Sequence, residues 1–297
     1  MVLGDVLKEL LNLDWKRVAD EIEIFVKNYL ASSGASGVVI GLSGGLDSSV
    51  TVSLLARALE PKRILGLIMP TNFTPREDIE DALYLAEKLG IRYKIINIDD
   101  IVNVYMRSSG VIENASTKMA IANLRARVRM SLLYLHANLE NLLVAGTSDR
   151  SEILLGYFTK YGDGASDFLV IPHLYKTQVR ELGRYLGLPE RIYKKPPSPQ
   201  LYPGHRARDE LPADYEIIDQ VFYLVFDKRR SVSDASRIIG IDPFITASII
   251  KRYLSTMHKR TLPPSPKQIL PQIDTESLKK EVENILREVR ASSGSEI

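Results

Sequence analysis

Residues 41–49 read GLSGGLDSS. Small residues at that spacing let backbone N–H groups approach a ligand closely. A helix beginning near Asp47 aims its positive dipole end at the same point. That geometry suits phosphate. The Ser43, Ser48 and Ser49 hydroxyls add donors, and Asp47 offers the hard oxygens that hold Mg2+ beside phosphates. A Walker A loop is excluded, because GxxxxGK[ST] requires a lysine that this segment lacks. A lone Gly-Gly pair would read as a turn packing a helix on a strand. Strand, Ser-Gly-Gly-x-Asp-Ser, then helix is far more specific, and it belongs at the carboxyl end of a parallel strand, where open α/β sheets bind ligands.

The flanking elements must place that loop. VVIGLS (38–43) is a short β-branched run that reads as a buried strand, and SSVTVSLLARALE (48–60) as the helix after it, stopped by Pro61. Upstream, Trp15, Val18, Ile22, Phe25, Val26 and Tyr29 fall at helical spacing over 14–31. The alternation then repeats: a strand at 63–70, a helix at 74–90 with Thr74 as N-cap and Pro75 in its first position, and a strand at 93–98. A long helix at 116–141 and a strand at 142–148 follow. This order predicts an α/β fold, a doubly wound parallel sheet over about 35–175. From about 175 only helices are expected: 174–188, 212–226, two short ones within 231–258, and a charged helix ending near 291, before a frayed tail at 292–297. They read as a C-terminal helical appendage on one domain covering 1–297. The segment 194–212, rich in proline and charge, reads as a functional or mobile loop.

Composition narrows the chemistry. The 297 residues carry 39 Lys+Arg against 37 Asp+Glu, a net charge of +2, which gives no global reason to expect nucleic acid or a membrane surface. No apolar run approaches the roughly 20 residues that span a bilayer. The N-terminal stretch has acids among its apolar residues and does not read as a signal peptide, so a cytoplasmic location is expected. There is no cysteine, which excludes disulfides, thiolate metal sites and a cysteine nucleophile.

The motif SGGLDS resembles the signature of the ATP-pyrophosphatase (PP-loop) superfamily, whose members cleave ATP between the α and β phosphates and adenylate a substrate. Without cysteine, the thiol-dependent sulfur-transfer branch and an in-chain thiol glutaminase are removed. A second set of segments resembles the NAD synthetases nearly continuously: GTSDRSE (146–152), GYFTKYGDGASD (156–167) and LYKTQ (174–178). NLRARVRM (123–130), KKPPSPQL (194–201), DELPADYEIID (209–219) and MHKRTLPP (257–264) match in the same order. The resemblance covers roughly residues 15–264 and implies an adenine-nucleotide α-hydrolase-like, Rossmann-like fold. It implies ATP-dependent amidation of deamido-NAD+ to NAD+ through an acyl-adenylate. The length left outside it is too short for a glutamine-hydrolysing domain, so ammonia is the expected nitrogen donor.

The resemblance also implies residue roles. Gly41, Leu42, Ser43, Gly44, Gly45, Leu46, Asp47 and Ser48 would wrap the ATP phosphates. Thr147 would lie near the adenosine and phosphates, and Lys176 and Ser198 would contact phosphates. Asp47 and Glu152 would ligate Mg2+, and with Lys176 they form the expected catalytic set. Arg127, Lys160, Asp163, Asp167, His258 and Lys259 would bind deamido-NAD+, partly across a homodimer interface. Asp163 or Asp167 is the candidate base for ammonia attack. An arginine expected near the end of the second strand is missing, and Arg76 is the candidate substitute in the adenine pocket. On their own, Arg125, Arg127 and Arg129 alternate along a helix, so most read as solvated. His136, His173 and His205 read as surface or packing residues. Two alternatives stay open: another amide or nucleotide synthetase on the same core, and a non-catalytic nucleotide-binding module.

Overall fold

Val38, Val39 and Ile40 are wholly buried, because both faces of their strand are covered. That is the environment of a parallel sheet and the one β-branched residues suit. The computed structural model describes residues 4–264 and 266. The chain forms two compact units, Met1–Arg260 and Thr261–Ile297, and the elements below belong to the first. The expected charged helix near 291 and the tail at 292–297 lie outside the described residues.

In chain order, α1 (Asp5–Leu11) and α2 (Trp15–Ser33) precede β1 (Gly37–Gly41), followed by α3 (Leu46–Ala58), β2 (Ile64–Ile68) and α4 (Arg76–Leu89). Then come β3 (Arg92–Ile95), α5 (Asp99–Ser109), α6 (Lys118–Glu140), β4 (Leu142–Gly146), α7 (Arg150–Leu155) and β5 (Phe168–Leu169). The remaining helices are α8 (Lys176–Tyr185), α9 (Glu190–Tyr193), α10 (Tyr215–Phe222), α11 (Val232–Ile239) and α12 (Pro243–Ser255). Among the described residues the strands form one parallel sheet in the order β3-β2-β1-β4-β5, with Val38 beside both Ile64 and Leu143. The chain leaves β1 toward β2 and later returns to its other side with β4. The crevice at the carboxyl ends of β1 and β4 is therefore the topological switch point of the sheet.

Alternating residues of β1 serve two cores. Val38 and Ile40 pack with Ala19 and Val26 of α2, Leu54 of α3 and Val179 of α8. Val39 packs with Leu65 and Leu67 of β2, Val102 of α5 and Val128 of α6. Each such side chain contributes about 1.5–3 kcal/mol by leaving water. A third cluster joins Leu10 of α1, Leu155 of α7, Tyr175, Ile218 and Phe222 of α10 and Ile249 of α12. The C-terminal helices thus share a core with the segment just after β4.

Several expectations shift. The third strand stops at Ile95 because Ile98 already serves as N-cap of α5, a helix additional to those expected from the sequence. The strand is the sheet edge, and its residues are exposed. Thr74 does not cap α4: its hydroxyl accepts from the Thr71 N–H at 2.9 Å, and Pro75 holds the cap position. The helices α1 and α7 and the two-residue β5 are too short to leave a periodic signal. The helix expected at 212–226 is α10 followed by a π-helical turn, Tyr223–Asp227.

Candidate active site

Between β1 and α3 the chain must turn within four residues. Gly44 takes φ +73°, and a Cβ there would lie 2.0 Å from the Asp78 carbonyl oxygen, so glycine is required. The serine hydroxyls brace the turn. Ser48 Oγ accepts from Ser43 N–H at 3.3 Å and lies 3.0 Å from Ser43 Oγ, and Gly45 N–H donates to Ser43 Oγ at 3.2 Å. No side chain caps α3, so its first-turn N–H groups are left for a ligand at the positive end of the helix dipole. A cavity of about 280 Å³ opens there, bounded by the ends of β1, β2 and β4 and by residues 195–201.

At its floor Lys176, the first residue of α8 and 1% exposed, meets three carboxylates. Its Nζ donates to Asp47 Oδ2 and Glu152 Oε1, both at 2.8 Å, and lies 3.0 Å from Asp149 Oδ2. Asp47 follows β1, Asp149 and Glu152 follow β4, and Lys176 follows β5. Asp149 and Glu152 also form the capping box of α7: Glu152 N–H donates to Asp149 Oδ1 at 2.8 Å and Asp149 N–H to Glu152 Oε2 at 3.3 Å. Burial pushes Asp149 up to about 7 against the pull of Lys176, and pushes Glu152 well above the usual carboxylate range. Burial opposes the Lys176 ammonium, but Asp149, Asp47 and Glu152 outweigh it and raise its pKa.

The donor set bears on a metal. Among the described residues, no group of three or more His, Asp or Glu is arranged to hold a metal ion by itself. Asp47 Oδ1 is buried without a hydrogen-bond partner, beside a surplus of carboxylate over ammonium. One or two carboxylates completed by phosphate oxygens is the way Mg2+ is commonly bound. Asp47 and Glu152 fit that role.

Of the expected site residues, the cavity wall brings together Gly41, Leu42, Ser43, Gly45, Leu46, Asp47, Ser48, Thr147, Glu152, Asp163, Lys176 and Ser198. Gly44 shapes the turn from behind. The wall does not include Arg127, Lys160, Asp167, His258 or Lys259. Four of these form a string beside it: Arg127 Nε donates to the Lys160 carbonyl at 3.3 Å and Lys160 Nζ to the His258 carbonyl at 2.9 Å. Lys259 Nζ donates to the carbonyls of Gly156 and Phe158 at 2.8 and 2.7 Å. Asp167 is committed elsewhere, accepting from Val144 N–H at 2.7 Å and Tyr134 Oη at 3.2 Å. Asp163 accepts from Thr159 N–H at 2.9 Å, and burial raises its pKa. Ser198 donates to the His205 carbonyl.

The arginines need correction. Arg76 is paired with Glu80, its side chain 90% exposed and away from the cavity. Arg129 lines the cavity instead, its Nε donating to the Met69 carbonyl at 3.1 Å, one residue beyond β2; burial lowers it to about 10. Arg125, four residues earlier on the same helical face, is buried against Glu113 and the Leu201 carbonyl. The i,i+4 spacing turns those two inward and leaves Arg127 outside. His205 is a packing residue, stacked on Tyr202 with ring centroids 3.8 Å apart.

Sequence reading missed Asp149, although Asp149-x-x-Glu152 carries capping-box spacing. It also missed Lys195, whose Nζ donates to the Gly44 carbonyl (2.8 Å), Asp78 Oδ1 (2.6 Å) and Asp81 Oδ2 (2.7 Å). No local pattern marks that lysine.

A sequence model of the NAD synthase family matches residues 18–263. The chain is 54% identical over 261 residues to the NH(3)-dependent NAD(+) synthetase of Hyperthermus butylicus, covering 88% of this chain and 94% of that one. Its fold is similar to the NMN synthetase of Francisella tularensis, with a TM-score of 0.75 and 33% identity, over 86% of this chain and 100% of that one. The NH3-dependent NAD synthetase of Campylobacter jejuni gives a TM-score of 0.72 and 34% identity over the same shares.

Proposed function

The chain belongs to the NAD synthase family, and on that premise we propose that it amidates the nicotinate carboxylate of deamido-NAD+ with ammonia, driven by cleavage of ATP to AMP and pyrophosphate. The observation that carries this reading is the meeting of Asp47, Glu152 and Lys176 at the mouth of an uncapped glycine-loop helix. A module that only bound nucleotide would have no use for that cluster.

A carboxylate is a poor electrophile, because its leaving group would be oxide. Its oxygen attacks the α-phosphorus of ATP, a P–O bond forms, the bridging bond to the β-phosphate breaks, and pyrophosphate departs. Ammonia then attacks the carbonyl carbon of the acyl-adenylate, the bond to the AMP oxygen breaks, and the nitrogen sheds a proton. The first-turn N–H groups of α3 and the Ser43 and Ser48 hydroxyls face the phosphates, and Lys176 offsets charge on departing pyrophosphate. Asp47 and Glu152 would hold Mg2+, which supplies charge neutralisation to the phosphates. Thr147 and Ser198, which line the same cavity, are assigned to ATP. Arg129, which lines the cavity where Arg76 does not, is assigned to the adenine pocket. Asp163, which lines the cavity while Asp167 does not, is assigned as the base that takes the proton from ammonia.

The deamido-NAD+ half is assigned to Arg127, Lys160, Asp163, His258 and Lys259; the two bonded oxygens of Asp167 give that residue a role in holding β4. We assign a homodimer whose interface lies beside this rim. It is supported by exposed apolar residues on β3, α5, the α5–α6 connection and α6: Ile95, Tyr105, Ile112, Leu135 and Leu139. Among the described residues no helix is long and apolar enough to cross a membrane, and we assign the activity to the cytoplasm. The test combines ATP, Mg2+, ammonium and deamido-NAD+ and measures NAD+ and AMP. Likeness to an NMN synthetase makes nicotinic acid mononucleotide the informative competitor. NAD+ formed from the dinucleotide supports the assignment; adenylation of the mononucleotide or another acid, without NAD+, overturns it.

A further inference from the structure

The groups that hold Lys176 by its backbone differ from those that meet its ammonium. Asp219, on α10, is wholly buried. Its Oδ1 accepts from Ser151 Oγ at 2.6 Å and its Oδ2 from Thr177 N–H at 2.8 Å. Ser151 Oγ in turn accepts from Lys176 N–H at 2.8 Å. The four residues close a ring: Asp219 to Ser151, Ser151 to Lys176, and Thr177 back to Asp219. Ser151 is adjacent to Glu152 in the first turn of α7, while Lys176 and Thr177 open α8. One carboxylate therefore ties together the first turns of the two helices that carry Glu152 and Lys176. It does so on N–H groups that would otherwise lack intrahelical partners.

We propose that Asp219 is a positioning residue for the adenylation step, setting through Ser151 and Thr177 where the Lys176 ammonium stands relative to Glu152. This rests on the function given above. A lysine side chain has four rotatable bonds, so its reach is fixed only as well as its backbone origin. A displacement of about 1 Å at such a site costs up to about a hundredfold in rate.

The test is a double-mutant cycle of Asp219→Asn with Lys176→Met, followed by AMP formation. The amide nitrogen cannot accept, so one leg of the ring is lost. Expected for Asp219→Asn alone is a fall in kcat between about ten- and a hundredfold, with KM for ATP, deamido-NAD+ and ammonium changed less than about threefold. In the Lys176→Met background the same substitution costs less than about twofold, because there is no ammonium left to place. Equal losses in both backgrounds, or an unchanged kcat, overturn the proposal. So does a rise in all KM values in step with a fall in melting temperature, which is what a purely structural role gives. Ser151→Ala cuts the ring between the helices and removes only a hydroxyl, and it carries the same cycle if Asp219→Asn does not fold. If the parent protein makes no NAD+ from deamido-NAD+, the function assigned above fails. If it does and the losses are additive, only the role of Asp219 fails.

Discussion

Three carboxylates around one ammonium leave surplus negative charge in a buried place, and the cluster must answer it with protons or a bound cation. Asp149 is the residue where this is measurable, since burial lifts its folded pKa from 3.8 to about 7. An acid whose folded pKa exceeds its unfolded one stabilises the fold at low pH. That contribution is complete below about 4 and is lost as the pH climbs through about 7. Metal-free protein should therefore lose stability from this group between about pH 4 and 7, by a few kcal/mol in order of magnitude, and lose no more from it above that. Thermal melts in chelator should show a flatter pH dependence for Asp149→Asn, whatever its absolute stability. Parallel curves for the variant and its parent would show that Asp149 does not titrate in this window. Asp47 and Glu152 were legible in the sequence because each lies just past a strand end. Asp149 was half legible: its capping spacing can be read locally, but its meeting with Lys176 depends on how α7 and α8 approach, which no local pattern encodes.

Among the elements, the alternation of strand and helix could be read off the chain, and so could the glycine turn. The elements missed are those whose stability is borrowed from neighbours. Helix α7 is six residues long, well short of what holds alone in water, and exists because its capping box and the Leu155 contacts in the third core complete it. The proline-rich segment 194–212 reads in the sequence as a functional or mobile loop, and nothing in its composition encodes how it is attached. Lys195 fastens it to Asp78 and Asp81 of α4 and to the Gly44 carbonyl, so the glycine turn and the strap beside it share one ammonium. Lys195→Met leaves two buried carboxylates with fewer partners and frees the strap. The expected result is a KM for ATP raised about tenfold and faster proteolytic cutting within 194–212. ATP plus deamido-NAD+ should protect that segment in the parent protein. Equal cutting with and without ligands would remove any closing role, and an unchanged KM would show that Lys195 does not reach the glycine turn.

At the scale of the molecule, the sheet order brings β1 and β4 side by side, and that adjacency unites the glycine turn, Glu152 and Lys176 from distant parts of the chain. The same topology leaves β3 as an edge, with α5 and α6 beside it, where exposure of large apolar side chains is concentrated: Ile95 at 53%, Ile112 at 75%, Leu135 at 52% and Leu139 at 69%. The sequence could not announce this face, because an apolar residue on an amphipathic helix reads as core until the fold shows which way it points. Leu135 and Leu139 are one turn apart on α6, so they present one stripe. A stripe of that kind, bordering an unpaired strand edge, is costly to leave in water and is the natural seat of an isologous contact. Leu139 is so exposed in the single chain that a charge there should cost the monomer within about 0.5 kcal/mol. Ile112→Lys together with Leu139→Lys should therefore shift the proposed dimer to monomer in sedimentation at micromolar concentration while keeping the melting transition. If the partner chain completes the rim around Arg127 and Lys160, the monomer should also show a raised KM for deamido-NAD+ with that for ATP unchanged. A parent that sediments as a monomer would overturn the dimer assignment, and a variant that stays dimeric would place the interface elsewhere.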